Sequence, residues 1–107
     1  MVQLACTVEP RLVMRYRVLS VGIDPDLLKT RQAVLASCGY DSLIATLHDL
    51  DEKLRSGRFD LVILSAMLSQ KEKSHIQAKL PAGSRALVLE TLVWPDELLR
   101  MVAEALE

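Results

Sequence analysis

Ser65 ends the apolar run Phe59-Asp60-Leu61-Val62-Ile63-Leu64, and a hydroxyl at a strand end is a group that can attack carbon or phosphorus. Nothing around it forms the Gly-x-Ser-x-Gly elbow that exposes and activates such a nucleophile, so a plain strand-end serine is the expectation. The soft metal ligands are two cysteines and two histidines. Cys6 and Cys38 form no Cys-x-x-Cys pair, and His48 and His75 have no second His or Cys at ligand spacing. No metal site is therefore expected on them. Two cysteines are also too few for a disulfide scaffold, and Cys38, on the apolar face of a helix, is expected as a buried reduced thiol. Pro81-Ala82-Gly83-Ser84-Arg85 has a single glycine and no Lys-Ser or Lys-Thr, so it reads as a turn and not a phosphate loop. Lys71, Lys73 and Lys79 with His75 make a basic stretch interrupted by Glu72, expected as a solvated helix face. Asp60 is expected to cap or turn the entry to its strand. Trp94, the single tryptophan, reads equally as core filler or as an interface anchor.

The elements that position these residues follow from apolar periodicity. Arg17–Val21 is a largely apolar run ending at Gly22 and reads as the first strand. Asp24 can cap a helix, Pro25 suits its first position, and Asp26 meets the positive end of the helix dipole. Leu27, Leu28, Val34, Leu35 and Cys38 recur at helical spacing, with Arg31 the one polar residue in that stripe. Gly39 stops this helix, which spans about 25–38. Residues 43–47 read as the second strand after an Asp41-Ser42 turn. Residues 49–56 carry Leu50 and Leu54 on a short helix ended by Gly57. The run before Ser65 is unbroken after Asp60, as expected of a strand buried on both faces of a parallel sheet. A weak helix over 70–80 ends at Pro81, residues 85–89 form a fourth strand, and Pro95-Asp96-Glu97 opens a last helix.

This alternation of strand and helix predicts a three-layer α/β fold with a mostly parallel sheet of about four strands. Ligands of such folds bind beyond the carboxyl ends of the strands, where the strand order reverses. The positions to inspect are Gly22-Ile23-Asp24, Ser65-Ala66-Met67 and Glu90-Thr91. The chain is read as a leader over 1–15 and one domain over 16–107. Half of the residues are hydrophobic, a quarter are charged, and the formal net charge is -1. That balance excludes a strongly basic nucleic-acid binder held by phosphate contacts alone, and a disordered acidic tail. No run of about 18 apolar residues exists. Leu4-Ala5-Cys6 looks faintly like a lipoprotein cleavage site, but no positive or apolar stretch precedes it, and a cytoplasmic protein is expected.

In order and spacing the chain resembles a bacterial response-regulator receiver domain, over roughly residues 17–106. The resemblance is carried by Arg17-Val18-Leu19-Ser20-Val21, Asp24-Pro25-Asp26-Leu27-Leu28, Cys38-Gly39-Tyr40, the run from Phe59 to Leu64, and Pro95-Asp96-Glu97-Leu98-Leu99. It implies a flavodoxin-like fold. It also implies an acidic pair after the first strand that holds Mg²⁺; the matching residues here are Gly22 and Ile23, with only Asp24 acidic one step later. The phosphoacceptor aspartate matches Ser65. The Ser or Thr after the fourth strand, a switch position, matches Glu90, with Thr91 beside it. The Lys-Pro pair of the family survives only as Trp94-Pro95.

Mg²⁺ needs hard oxygen ligands at fixed points, and phosphoryl transfer needs that metal and a cation to offset charge. The sequence therefore reads as a degenerate, shortened receiver that has lost aspartate phosphorylation: a non-catalytic signalling and protein-interaction module with no cofactor, no nucleic acid and no membrane partner. Typical receivers have five strands. Here either the fourth helix and fifth strand, or the fourth strand and fourth helix, is missing. Leu87, Val88, Leu89, Leu92, Val93 and Trp94 then form a dense apolar run at a sheet edge, which invites pairing with another chain. Val88, Leu92 and Trp94 are the expected interface, to another protein or a second copy. Two alternatives stand beside this reading. One is a divergent receiver still regulated within a phosphorelay. The other is a small-molecule binder or enzyme that uses the strand-end crevice at Gly22, Ile23, Asp24, Ser65 and Glu90.

Overall fold

The structure, a computed structural model, describes residues 16–106; the expected leader and Cys6 lie outside them. The elements run β1 (Arg17–Val21), α1 (Pro25–Ser37), β2 (Asp41–Ala45), α2 (Leu50–Ser56), β3 (Leu61–Leu64), α3 (Gln70–Lys79), β4 (Arg85–Val88) and α4 (Pro95–Ala105). The strands form one all-parallel sheet in the order β2-β1-β3-β4. This is the flavodoxin-like order without its fifth strand, and the chain has the three-layer α/β fold expected of its alternation. β2 begins two residues earlier than the sequence suggests: Asp41 and Ser42 are already in the ladder, opposite Arg17 and Val18. The turn is made by Gly39 instead, whose φ of 91° lies in the left-handed region that suits glycine.

Period-two alternation sorts the sheet onto two cores. Val18, Leu61 and Ile63 face α1 and α4, where they join Leu35, Leu98, Leu99 and Val102. Leu19, Val21, Val62 and Leu64 face α2 and α3, where they join Leu50, Phe59, Leu68 and Ile76. All four residues of β3 are fully buried, because this central strand is covered on both faces. Each such Leu, Ile or Val contributes roughly 1.5–3 kcal/mol relative to its exposed state.

Local signals fix the helix starts. Asp24 accepts the Asp26 N–H at 3.0 Å, and Pro25 occupies the first turn of α1. Ser69 and Glu72 form a reciprocal capping box at α3. The edge strand β4 is less bare than its sequence suggests. Leu89 is buried in the first core, Leu87 packs against that core, and Val88 packs against the second. Only Leu92 and Trp94 of that run stand well exposed.

At the opposite, amino edge of the sheet, Asp60 ties three strands together. Its carboxylate accepts the Arg17 N–H at 2.9 Å, its own N–H donates to Arg17 O, and its carbonyl accepts from Arg85 N–H. It is thus the clamp between β1, β3 and β4 that the sequence read as a turn or cap. Asp60→Ala leaves the half-buried Arg17 N–H without its acceptor and is expected to cost about 1–2 kcal/mol, measured as a lower urea midpoint at unchanged slope.

Candidate functional site

The sheet order reverses between β1 and β3, so the crevice of this fold opens beyond Val21 and Leu64. Ser65 is the first residue past β3 and continues the face of Leu61 and Ile63 beneath α1. It is 2% exposed. Its backbone N–H donates to Val21 O, which joins the two strand ends. Its hydroxyl oxygen accepts a hydrogen bond of 2.8 Å from Nη1 of Arg31. Arg31 comes from the middle of α1 and is 5% exposed. It is the polar residue that interrupts the apolar stripe of that helix, so the helical phase itself points it at the sheet. Burial pushes its guanidinium below its ordinary pKa.

Gly22 lets this pair form. A Cβ at Gly22 would stand 2.5 Å from Ser65 Oγ and 3.2 Å from Leu28 Cδ2, so any side chain there collides with the serine. The position matching one half of the acidic pair is thus glycine for a packing reason. Ile23 follows it and is 52% exposed. Asp24 is exposed and is used as the cap of α1. Ser20, one strand residue before Val21, is fully buried with its hydroxyl unpaired.

On the other side of the sheet Lys73 corrects the expectation of a solvated basic face. It is 3% exposed, donates to Leu89 O at 3.0 Å, and lies 3.7 Å from a carboxylate oxygen of Glu90. Glu90 is exposed and also accepts from Gln70 at 3.3 Å. Lys79 pairs with Asp51 at 2.8 Å, which holds that carboxyl below its usual range. His75 borders a shallow groove of about 320 Å³ between α2 and α3, away from the crevice. Cys38, expected as a buried reduced thiol, is only half-buried and is not a free cysteine.

The receiver-like positions therefore come together in space at the carboxyl edge, but with inverted charge. Where the resemblance implies carboxylates around a cation, Gly22, Ile23 and Ser65 supply none, and a guanidinium sits 2.8 Å from the matching phosphoacceptor position. These residues do not fit Mg²⁺. Among the described residues no group of three His, Cys, Asp or Glu side chains could hold a metal ion.

A second feature of this edge extends the expected interface at Leu92 and Trp94 to loops the sequence did not connect with it. Among the described residues the exposed large hydrophobic side chains are Leu47, Ile23, Met67, Leu92 and Trp94. Each lies in the loop beyond the carboxyl end of a strand, after β2, β1, β3 and β4 in spatial order. Trp94, 78% exposed, is no core filler. Among the described residues no helix is long and apolar enough to cross a membrane. No family model, curated protein or solved structure matches the chain.

The serine bond and the buried charge can be separated. Ser65→Ala leaves the guanidinium buried without its acceptor and is expected to cost about 1–3 kcal/mol. Arg31→Met removes charge and donor together and is expected to stay within about 1 kcal/mol of the wild type. Chemical unfolding of the two variants side by side measures this order.

Proposed function

We propose that the chain is a receiver-like signalling module that works by docking another protein at the carboxyl edge of its sheet, without aspartate phosphorylation and without catalysis. The observation that carries this reading is the placement of the exposed apolar side chains. Leu47, Ile23, Met67, Leu92 and Trp94 all sit at one edge, whereas exposed apolar residues scattered singly over a surface need no explanation. Trp and Met are enriched at the centres of protein interfaces. The strand-end loops are also where α/β folds keep their binding residues.

The loss of phosphorylation chemistry rests on the crevice. A serine in place of the acceptor aspartate, tied to Arg31, has among the described residues no base hydrogen-bonded to it and no carboxylate pair to hold a metal. Regulation then resides in whether the partner is present, as befits a receiver that has kept its fold and lost its switch. Both the divergent phosphorelay receiver and the enzyme are less well supported, because each needs reactive groups at Gly22, Ile23 and Ser65 that these residues do not offer.

The test compares immobilised wild type, Met67→Glu, Trp94→Ala and, at the amino edge, Arg58→Ala as the control. A protein retained by the wild type and by Arg58→Ala, and bound at least about tenfold more weakly by both carboxyl-edge variants, is the expected result. A partner held equally by all four overturns the assignment of this edge.

A further inference from the structure

We propose that the crevice between β1 and β3 is a carboxylate-binding site built on Arg31 and Ser65. This goes beyond the docking reading and does not depend on it. Arg31 uses one N–H on Ser65 and makes no other hydrogen bond and no ion pair among the described residues. The guanidinium has five N–H donors, and a buried charge without a counter-ion is among the costliest features a fold can carry.

The nearby acids are committed elsewhere: Asp24 caps α1, and Glu90 faces Lys73 and Gln70. No nitrogen of Arg31 is among the fully buried unpaired side-chain atoms, so its remaining donors keep a little access to solvent although the residue is only 5% exposed. Ser65 adds to them. Its oxygen accepts from Arg31, while its own O–H has no acceptor among the described residues and is free to donate. Ser20 lies on the same face beneath α1, buried and with its hydroxyl unpaired.

One buried positive charge calls for one negative charge. A carboxylate is planar and accepts two parallel N–H bonds from a guanidinium fork. A doubly charged phosphate would find a single cation here and the carboxylates of Asp24, Asp26 and Glu90 around the same edge. The site therefore selects a monoanionic carboxylate, carried either by a small free acid or by an acidic side chain of a protein. Gly22 matters to this chemistry as well as to packing, because any Cβ there would press on the Ser65 hydroxyl.

Amide correlation spectra of the full chain test this, titrated with sodium acetate against sodium chloride at matched ionic strength. Inorganic phosphate and an end-blocked Gly-Gly-Glu-Gly-Gly peptide are titrated in parallel. The expected result is saturable movement of the Gly22, Ser65 and Ala66 peaks by acetate in the millimolar range, with phosphate weaker. Arg31→Lys, which keeps the charge and loses the fork, should weaken acetate by about tenfold, and Arg31→Met should abolish saturation. Tighter binding of acetate than of the peptide identifies a small free acid as the ligand. Tighter binding of the peptide identifies a protein carboxylate. Movement no different from chloride, phosphate binding tighter than both carboxylates, or saturation that survives Arg31→Met overturns the site. If Arg31→Met fails to fold, Ser65→Ala, expected to weaken acetate several-fold, and the order of acetate over phosphate decide the matter.

Discussion

A guanidinium beneath α1, against the end of β3, sets terms that its neighbours must meet. It needs an acceptor within reach, and Ser65 provides one at 2.8 Å. The serine needs room, and Gly22 provides it by having no side chain. The helix that carries Arg31 must be held in phase, which Asp24 and Pro25 do at one end and Gly39 at the other. Two positions that the resemblance aligns with the phosphorylation site of receivers, Gly22 and Ser65, are thus accounted for by one interaction. An aspartate in place of Ser65 would form a buried ion pair with Arg31 instead of a site open to metal.

The sheet supplies the rigidity this arrangement needs. β1 and β3 are central, each pairs on both sides, and their residues are divided between two apolar cores. Asp60 fastens the strands at the amino edge, and the Ser65 N–H to Val21 O bond fastens them at the carboxyl edge. On the far side of the sheet, Lys73 caps the end of β4 through the Leu89 carbonyl. Each face of the sheet thus has one buried cation near the carboxyl ends of the strands, Arg31 on one and Lys73, beside Glu90, on the other. Around them the loops expose apolar side chains.

Much of the fold was legible because it depends on local signals. Asp24-Pro25, Gly39 and Pro95 mark helix ends by backbone chemistry that tertiary contacts reinforce. The short unbroken run Leu61–Leu64 suggested a strand covered on both faces, and β3 is one. β2 was misplaced by two residues because Asp41 and Ser42 look like a turn, whereas pairing with Arg17 and Val18 draws them into the ladder. The site was legible in its positions and not in its charges. Arg31 was visible as the polar break in an apolar stripe, but a lone arginine in such a stripe can extend fully into solvent, and only the structure shows it 5% exposed with one N–H on Ser65. Lys73 sat in a basic run whose members look alike in sequence; its burial depends on the path of the chain after β4. The row of exposed apolar residues is spread over four loops, and nothing in their sequence spacing brings them together.

The central claim is that the strand-end crevice is organised around a fixed cation and not around a metal. The direct measurement is an amide correlation spectrum of the wild-type chain as Mg²⁺ is raised to large excess. The Gly22, Ile23, Ser65 and Ala66 peaks are predicted to stay in place, because Arg31 repels a dication, Gly22, Ile23 and Ser65 carry no carboxylate, and Asp24 and Glu90 are used as a helix cap and a partner of Lys73. Saturable movement of those peaks together, with a single affinity, would contradict it.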